Sequence, residues 1–137
     1  MATLTFVKFY SFVEAVAEKK HDLGADQLKL ALTNTAPSQS NTQLSDITEI
    51  SYTNLSSRNV TTSSSSQTSG TYRLKLTDST LTASGAVAGF RYIILYNDTS
   101  ASDLLIGYWD YGSTITLTNG QTVPLDFDGT NGVLSLA

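Results

Sequence analysis

Apolar and polar residues alternate along most of the chain in short runs, and turn-forming residues separate these runs at nearly even spacing. Alternation of this kind predicts β-strands, because successive side chains of a strand point to opposite faces of a sheet. Seven or eight such strands are typical of a sandwich. We therefore expect one domain over residues 1–137, with an all-β, jelly-roll-like β-sandwich fold. The clearest predicted strands are residues 27–33, 71–77, 90–96, 104–110, 113–117, 122–127 and 133–136.

Two of these runs carry additional information about burial. In the first, Leu28, Leu30 and Leu32 lie on one face, which indicates a half-buried strand. Residues 90–96 (FRYIILY) are the most apolar run. We expect this run to occupy the centre of a sheet.

The turn residues in the second half of the chain predict how its strands are connected. Asn119-Gly120 is a strong signal for a hairpin between the runs on either side of it. Tyr111-Gly112 marks another turn. Pro124 places its own strand at a sheet edge or a bulge, because proline has no N–H to donate to a neighbouring strand.

One segment near the N-terminus has helical spacing. Within residues 9–20, the apolar residues that share one helical face are Phe9, Phe12, Val13 and Val16. Ser11 is a candidate N-cap, with Glu14 completing a capping box, and Gly24 is expected to stop the helix.

Two segments between the strands are less regular. Residues 59–70 (NVTTSSSSQTSG) are rich in Ser and Thr and predict either a loop or a two-sided polar edge strand, with an exposed tip that meets a partner as the functional alternative. Residues 41–57 predict a long loop. Within it, Leu44, Ile47 and Ile50 recur every three residues, which indicates a helical turn.

Composition narrows the possible functions. The formal net charge is −4 and the eight basic residues are scattered, which argues against a nucleic-acid partner. The absence of cysteine excludes thiolate metal sites. No apolar run is long enough to cross a membrane, and Lys8 and Glu14 interrupt the N-terminal apolar stretch, so we expect mature structure there rather than a signal peptide. With 18 Ser and 20 Thr, the surface should be rich in hydroxyl groups.

The residues that could support catalysis or metal binding have simpler explanations. His21, the sole histidine, follows the predicted helix, where a structural role accounts for it. No pair among the acidic residues is singled out as a catalytic pair. The segment Asp126–Gly132 has its glycines at the wrong positions for a calcium loop, so a turn is expected. We expect no enzyme activity, no cofactor and no metal.

Aromatic residues cluster in the second half of the chain, at Tyr92, Tyr96, Tyr108, Trp109 and Tyr111. Neighbouring residues of one strand face opposite ways, so Tyr108 and Trp109 should not line the same core. One of the two is therefore expected at a subunit interface, with a carbohydrate-binding face as the alternative.

Several segments, taken as a set, resemble a family of small virion proteins of tailed bacteriophages. They are Glu18–Gly24 with the strand that follows to Pro37, Gly70–Leu76, Phe90–Asp98, Leu105–Gly112 and Asp126–Ala137. The resemblance implies an auxiliary capsid role, that of a decoration or cement protein that binds the outside of the assembled capsid and stabilises it. A tail or baseplate component and a glycan-binding module are the alternatives. The resemblance supplies no active-site residues.

This role implies a set of partners and an interface. The expected partners are the major capsid protein and further copies of the chain, in a homo-trimer or a homo-dimer, without nucleic acid or membrane. The expected location is the capsid surface of a virion, after synthesis in the bacterial cytoplasm. Residues 1–9 are a possible N-terminal arm that adds a strand to a neighbour's sheet. The predicted interface residues are Thr3, Leu4, Thr5, Phe6, Val7, Phe9, Tyr108, Trp109 and Tyr111.

Overall fold

Ten strands and one α-helix make up the part of the chain that the computed structural model describes, residues 4–137. All the strand pairs are antiparallel. This confirms the predicted all-β, sandwich-like fold with one short helix. In chain order the elements are β1 (Phe6–Lys8), α1 (Tyr10–Ala17), β2 (Leu28–Thr33), β3 (Asn59–Val60), β4 (Thr62–Thr68), β5 (Thr71–Leu76), β6 (Ser79–Thr82), β7 (Val87–Asn97), β8 (Leu105–Leu117), β9 (Thr122–Leu125) and β10 (Leu134–Leu136).

The strands form three sheets around one main core. The largest has the order β1-β8-β7-β2-β3, and the smaller ones have the orders β10-β5-β4 and β6-β9. The two small sheets contribute Leu74, Leu81 and Leu125 to the cluster that also contains Leu30 and Ile93 of the large sheet. The apolar strand β7 is central in the large sheet, as predicted.

The outer face of the large sheet is also covered, which corrects the prediction that β2 is half-buried. Its three leucines share the inner face as predicted, but Ala31 and Thr33 on the other face are fully buried as well. Ala31 packs with Ile94, Phe9 and Ile47 in a second, smaller cluster. Ile47 belongs to the long connection between β2 and β3, so this connection covers a face that the alternating pattern assigned to solvent.

The same connection is bonded to β2 through Tyr52 and Arg58. The Tyr52 hydroxyl accepts the N–H of Leu32 (3.0 Å) and donates to Glu49 (2.6 Å). The Arg58 guanidinium lies 3.5 Å from the centre of the Tyr52 ring and donates to the carbonyl of Leu30 (2.6 Å). Burial, together with the hydrogen bond to Glu49, raises the pKa of Tyr52 well above its usual value.

Helix α1 begins differently from the prediction. Phe9 is its N-cap and makes no side-chain capping bond, so the Ser11 capping box is wrong. The chain enters the helix almost directly from β1, and Phe9 is fully buried. Phe12 faces the core as predicted, but Val13 is 55% exposed and Ala15 is buried instead.

The helix also ends before the predicted stop at Gly24. Its last residue is Ala17, and Lys19 adopts a left-handed conformation with φ of 63°. The N–H groups of Lys19 and Lys20 bond to carbonyls three and five residues earlier. This is a Schellman motif, which more often has glycine at the position of Lys19. No helix in residues 4–137 is long and apolar enough to span a bilayer.

Both irregular segments, residues 59–70 and 41–57, contain regular structure. Of the two structures predicted for residues 59–70, the edge strand is correct and the loop is wrong, because β4 pairs with β5 and ends its sheet. The helical turn predicted in residues 41–57 is a 3-10 turn at Leu44–Asp46.

The Asn119-Gly120 turn forms, but the hairpin predicted around it does not. Gln121 N–H bonds to the Thr118 carbonyl (3.0 Å), and Gly120 has a φ of 84°. The flanking strands, however, pair elsewhere, β8 with β7 and β9 with β6. The turn therefore takes the chain from one sheet to another. Pro124 lies in a two-stranded sheet, which confirms its predicted place at an edge.

Candidate binding cleft at Trp109

The N-terminal segment, predicted to be an extended arm, lies against its own sheet. Strand β1 pairs with the first part of β8, and Phe6 lies opposite Trp109 and Val7 opposite Tyr108. Phe9 is fully buried. The arm is therefore wrong for the described part of this segment, because its apolar side chains find their partners inside the molecule.

The remaining predicted interface residues differ in exposure. Thr3 lies outside the residues that the structure describes, and Leu4 is half-buried. Thr5 and Tyr111 are exposed. Only these last two are clearly available to a partner.

Tyr108 and Trp109 point to opposite faces of β8, as predicted. On the outer face, the ring centre of Tyr108 lies 5.4 Å from that of Phe9. On the inner face, the Trp109 ring centre lies 4.8 Å from Phe6 and 5.8 Å from Phe127. Trp109 is only 6% exposed, so its ring lies beneath the surface and does not project from it.

A cleft of about 430 Å³ opens beside these three inner rings. This volume falls within the range of small-ligand sites. Residues from β1, β8 and the turn between β9 and β10 line it. They are Leu4, Phe6, Trp109, Asp126, Phe127, Asp128, Gly129, Gly132 and Val133.

Asp128 builds the turn that forms one wall of the cleft. Its carboxylate accepts the N–H groups of Thr130 (2.9 Å) and Asn131 (2.8 Å), and its carbonyl accepts the N–H of Gly132 (3.0 Å). These backbone hydrogen bonds lower the pKa of Asp128. The turn predicted for Asp126–Gly132 is therefore confirmed.

Two glycines bring the walls of the cleft close together. A Cβ on Gly107 would overlap the outer end of the Phe6 ring, so this ring packs against bare backbone. Gly132 has a φ of 80°, and a Cβ there would lie 2.5 Å from the carbonyl oxygen of Leu74. Its lack of a side chain lets the turn pack directly against β5.

The chemistry of the cleft is that of a binding site with an apolar side and an acidic side. The aromatic residues Phe6, Trp109 and Phe127 and the acidic residues Asp126 and Asp128 all line it. A ring-shaped polyol such as a sugar matches this division, since its C–H face can pack on aromatic rings while its hydroxyls donate to carboxylates. No cluster of three or more His, Asp or Glu side chains in residues 4–137 is arranged to hold a metal ion.

Tyr111 owes its exposure to a bulge in β8. Strands β7 and β8 lose register around residues 111–114. The Asp110 carboxylate fixes the bulge, because it accepts the N–H of Gly112 (2.8 Å) and two bonds from Arg91 (2.8 and 3.0 Å). The strand end predicted at Tyr111-Gly112 is therefore wrong, since β8 continues beyond it. The bulge leaves Tyr111 40% exposed.

His21 lies apart from the cleft, in a network around the buried Asn97. The Asn97 amide nitrogen donates to Asp26 (2.6 Å) and lies 3.0 Å from His21 Nδ1. Nδ1 must accept this bond, so the ring is neutral with its proton on Nε2. Burial lowers the pKa of His21, and the charge of Asp26 opposes this shift only in part. These contacts fit the structural role predicted for His21.

The lowered pKa predicts a pH dependence of stability. As the pH falls from about 6.5, the unfolded chain protonates His21 more readily than the folded chain does, so the free energy of unfolding should decrease. Urea denaturation between about pH 7.5 and 5.5 measures this slope, and His21→Gln should flatten it. Parallel slopes for the two proteins would contradict the prediction. Asp46, Asp110 and Asp128 also have lowered pKa values. They change the stability of the protein only below about pH 5, outside the range of this measurement.

Comparisons with family models, with curated proteins and with solved structures found no match to the chain. The class that the structure establishes is an all-β sandwich. The resemblance to phage virion proteins remains a prediction from the sequence.

Proposed function

We propose that this chain is a structural protein of a tailed-phage particle, a decoration or cement subunit that binds the outside of the assembled capsid. The sequence resemblance, which extends over most of the chain, supports this role. The proposal places the protein on the capsid surface of the virion. Its partners there are the major capsid protein and further copies of itself.

The structural observation that supports this proposal best is that two exposed strand segments carry no charges. Residues 59–72 and 111–125 contain no charged side chain. They include β4 and the second part of β8, in which most side chains are exposed. Hydroxyl groups cost less to bury than charges and can hydrogen bond to many partners. Such a surface suits a protein that must contact crowded neighbours without repelling them.

A cement protein of this kind acts by mass action. A subunit that binds the assembled shell, and not its dissociated parts, shifts the equilibrium towards the shell. The bound protein needs no chemical step for this effect. Its contribution grows with the number of sites occupied on each particle.

The copy number of the chain per purified virion tests the proposal, and quantitative mass spectrometry measures it. We expect a number that scales with the major capsid subunit. A few copies, or a few dozen, would contradict the capsid assignment and support a tail or baseplate component instead. Absence from the particle would contradict both virion roles.

The cleft beside Trp109 favours a second candidate function, that of a glycan-binding module. Trp109 is the only tryptophan of the chain, so its fluorescence reports on the cleft. A sugar bound there should change the emission of the wild type, and Asp126→Asn should weaken the response. Emission that stays unchanged across a broad glycan panel would contradict this function.

A further inference from the structure

Strand β4 is an open edge of its sheet. It forms seven residues, Thr62–Thr68, and no strand in residues 4–137 pairs with the side opposite β5. Nearly all of its side chains are exposed. A bulge interrupts the pairing between Thr62 and Ser64, and the stretch from Ser64 to Thr68 is regular.

Beyond the bulge at its start, this edge lacks the other features by which proteins usually prevent unwanted strand pairing. Edge strands are commonly kept short or carry Lys or Pro, because their free N–H and C=O groups otherwise accept another strand. The other edge strands in the described residues have at most four residues. Among them, β1 ends in Lys8 and β9 contains Pro124. β4 is longer than any of them and has neither a charge nor a proline.

We infer that β4 is a self-association surface, at which the β4 strand of a second copy of the chain pairs antiparallel across a two-fold axis. A two-fold contact brings the same surface patch from each copy together, so the patch must be complementary to itself. The sequence TSSSSQT meets this condition, since no antiparallel register of β4 with itself opposes two charges. Ser and Thr side chains opposite one another can instead hydrogen bond across the strands.

The charges on the adjacent strand β5 do not oppose the pairing. Arg73 and Lys75 lie on β5, opposite Ser66 and Ser64. In the dimer, two β4 strands separate the two β5 strands, which places them about 14 Å apart. This separation exceeds the Debye length of about 8 Å at physiological ionic strength. The uncharged strand therefore acts as a spacer between two basic strands.

The result would be one continuous sheet of six strands, made from the two three-stranded sheets. Its formation in solution does not depend on the proposed capsid role, and the copy-number measurement decides that role separately. Because the contact consists mainly of backbone hydrogen bonds from seven residues, we expect a dimer of modest affinity. Light scattering over a range of protein concentrations should show it.

A pair of charge variants tests whether β4 forms the contact. Ser66 and Ser135 both lie opposite Arg73, one on β4 and the other on β10. Ser66→Lys brings like charges together across the two-fold axis and should raise the dissociation constant of the dimer roughly five- to tenfold. Ser135→Lys adds the same charge beside Arg73 but leaves the β4 edge unchanged, so its dimer should match the wild type.

Disulfide trapping provides an independent readout, because the chain has no cysteine of its own. Single cysteines placed in turn at residues 64–68 should cross-link two copies under mild oxidation, with the highest yield at the position nearest the two-fold axis. Ser135→Cys, on the opposite edge of the same sheet, should not cross-link above background.

Three results would overturn the inference. They are a wild type that stays monomeric at all concentrations, a dimer that Ser66→Lys leaves intact, and a dimer that Ser135→Lys weakens equally. A monomeric wild type whose binding to capsids is lost only in Ser66→Lys would mean that a capsid strand occupies β4 instead.

Discussion

Gly132→Ala is expected to lower the free energy of unfolding by about 3 kcal/mol or more. The residue has a φ of 80°, which costs an L-amino acid roughly 1–2 kcal/mol. The added Cβ would also lie 2.5 Å from the carbonyl oxygen and 3.1 Å from the carbonyl carbon of Leu74. These are backbone atoms of β5, and the same carbonyl accepts the N–H of Val133 (2.8 Å), so neither side can move without breaking the pairing of β10. Urea denaturation measures the loss.

Alanine substitutions at two other glycines distinguish the cost of the left-handed backbone conformation from the cost of the steric contact with Leu74. Gly129 lies in the same turn with open space around its Cβ position, so Gly129→Ala should be close to neutral. Gly120 has a φ of 84° and open space, so Gly120→Ala should cost only about 1–2 kcal/mol. If Gly132→Ala costs no more than Gly120→Ala, the contact with Leu74 is not rigid and the prediction is wrong.

This contact also shapes the cleft, because Gly132 follows the Asp128 turn and both residues line it. A turn displaced from β5 would move Asp126 and Asp128 relative to the rings of Phe6 and Trp109. Gly132→Ala protein that remains folded should therefore show altered Trp109 emission. Gly129→Ala protein should not.

Features of the fold that depend on local alternation could be predicted from the sequence. The apolar run that became β7 indicated its central place, and Pro124 indicated an edge. The opposite directions of Tyr108 and Trp109 follow from the geometry of any strand. Each of these conclusions needs only a few neighbouring residues.

The errors in strand pairing and burial concern contacts between distant parts of the chain, whereas the misplaced helix cap is a local error. The Asn119-Gly120 turn was recognised, but its chemistry does not decide which strands pair, and the flanking strands join different sheets. The N-terminal segment was predicted to be an arm because no pattern in residues 1–9 indicates that it pairs with β8. Exposure of Ala31 was inferred from alternation, which carries no information about a distant loop that covers the second face.

The candidate cleft was missed for the same reason. Phe6 and Trp109 were both singled out, but as interface residues, and the segment with Asp126 and Asp128 was interpreted as a turn after a carboxylate pair and a calcium loop had been considered. Their convergence follows from the pairing of β1 with β8 and of β10 with β5. Neither pairing has a local sequence signal.

Asn97→Ala is expected to be similarly damaging, at about 3 kcal/mol or more, because this fully buried side chain connects two segments, the turn after β7 and the connection between α1 and β2. Its amide oxygen accepts the N–H groups of Thr99 (2.9 Å) and Ser100 (3.1 Å). Its amide nitrogen donates to Asp26 and to His21 Nδ1. Alanine removes four hydrogen bonds in a partly buried network, and a hydrogen-bonding group that stays unpaired when buried costs about 1–3 kcal/mol. Chemical denaturation at neutral pH measures the effect.

Two variants show whether the network itself accounts for this loss. Asn119→Ala removes an exposed asparagine from a turn and should cost less than about 0.5 kcal/mol. Asn97→Asp keeps an acceptor for the Thr99 and Ser100 N–H groups but sets a second carboxylate against Asp26. Its loss of unfolding free energy relative to the wild type should be large at pH 7 and should become smaller on mild acidification. Protonation of the new carboxylate then restores a donor and removes the repulsion between like charges. A loss of stability in Asn97→Asp that does not change with pH, or an Asn97→Ala protein as stable as Asn119→Ala, would show that these hydrogen bonds do not hold the two segments together.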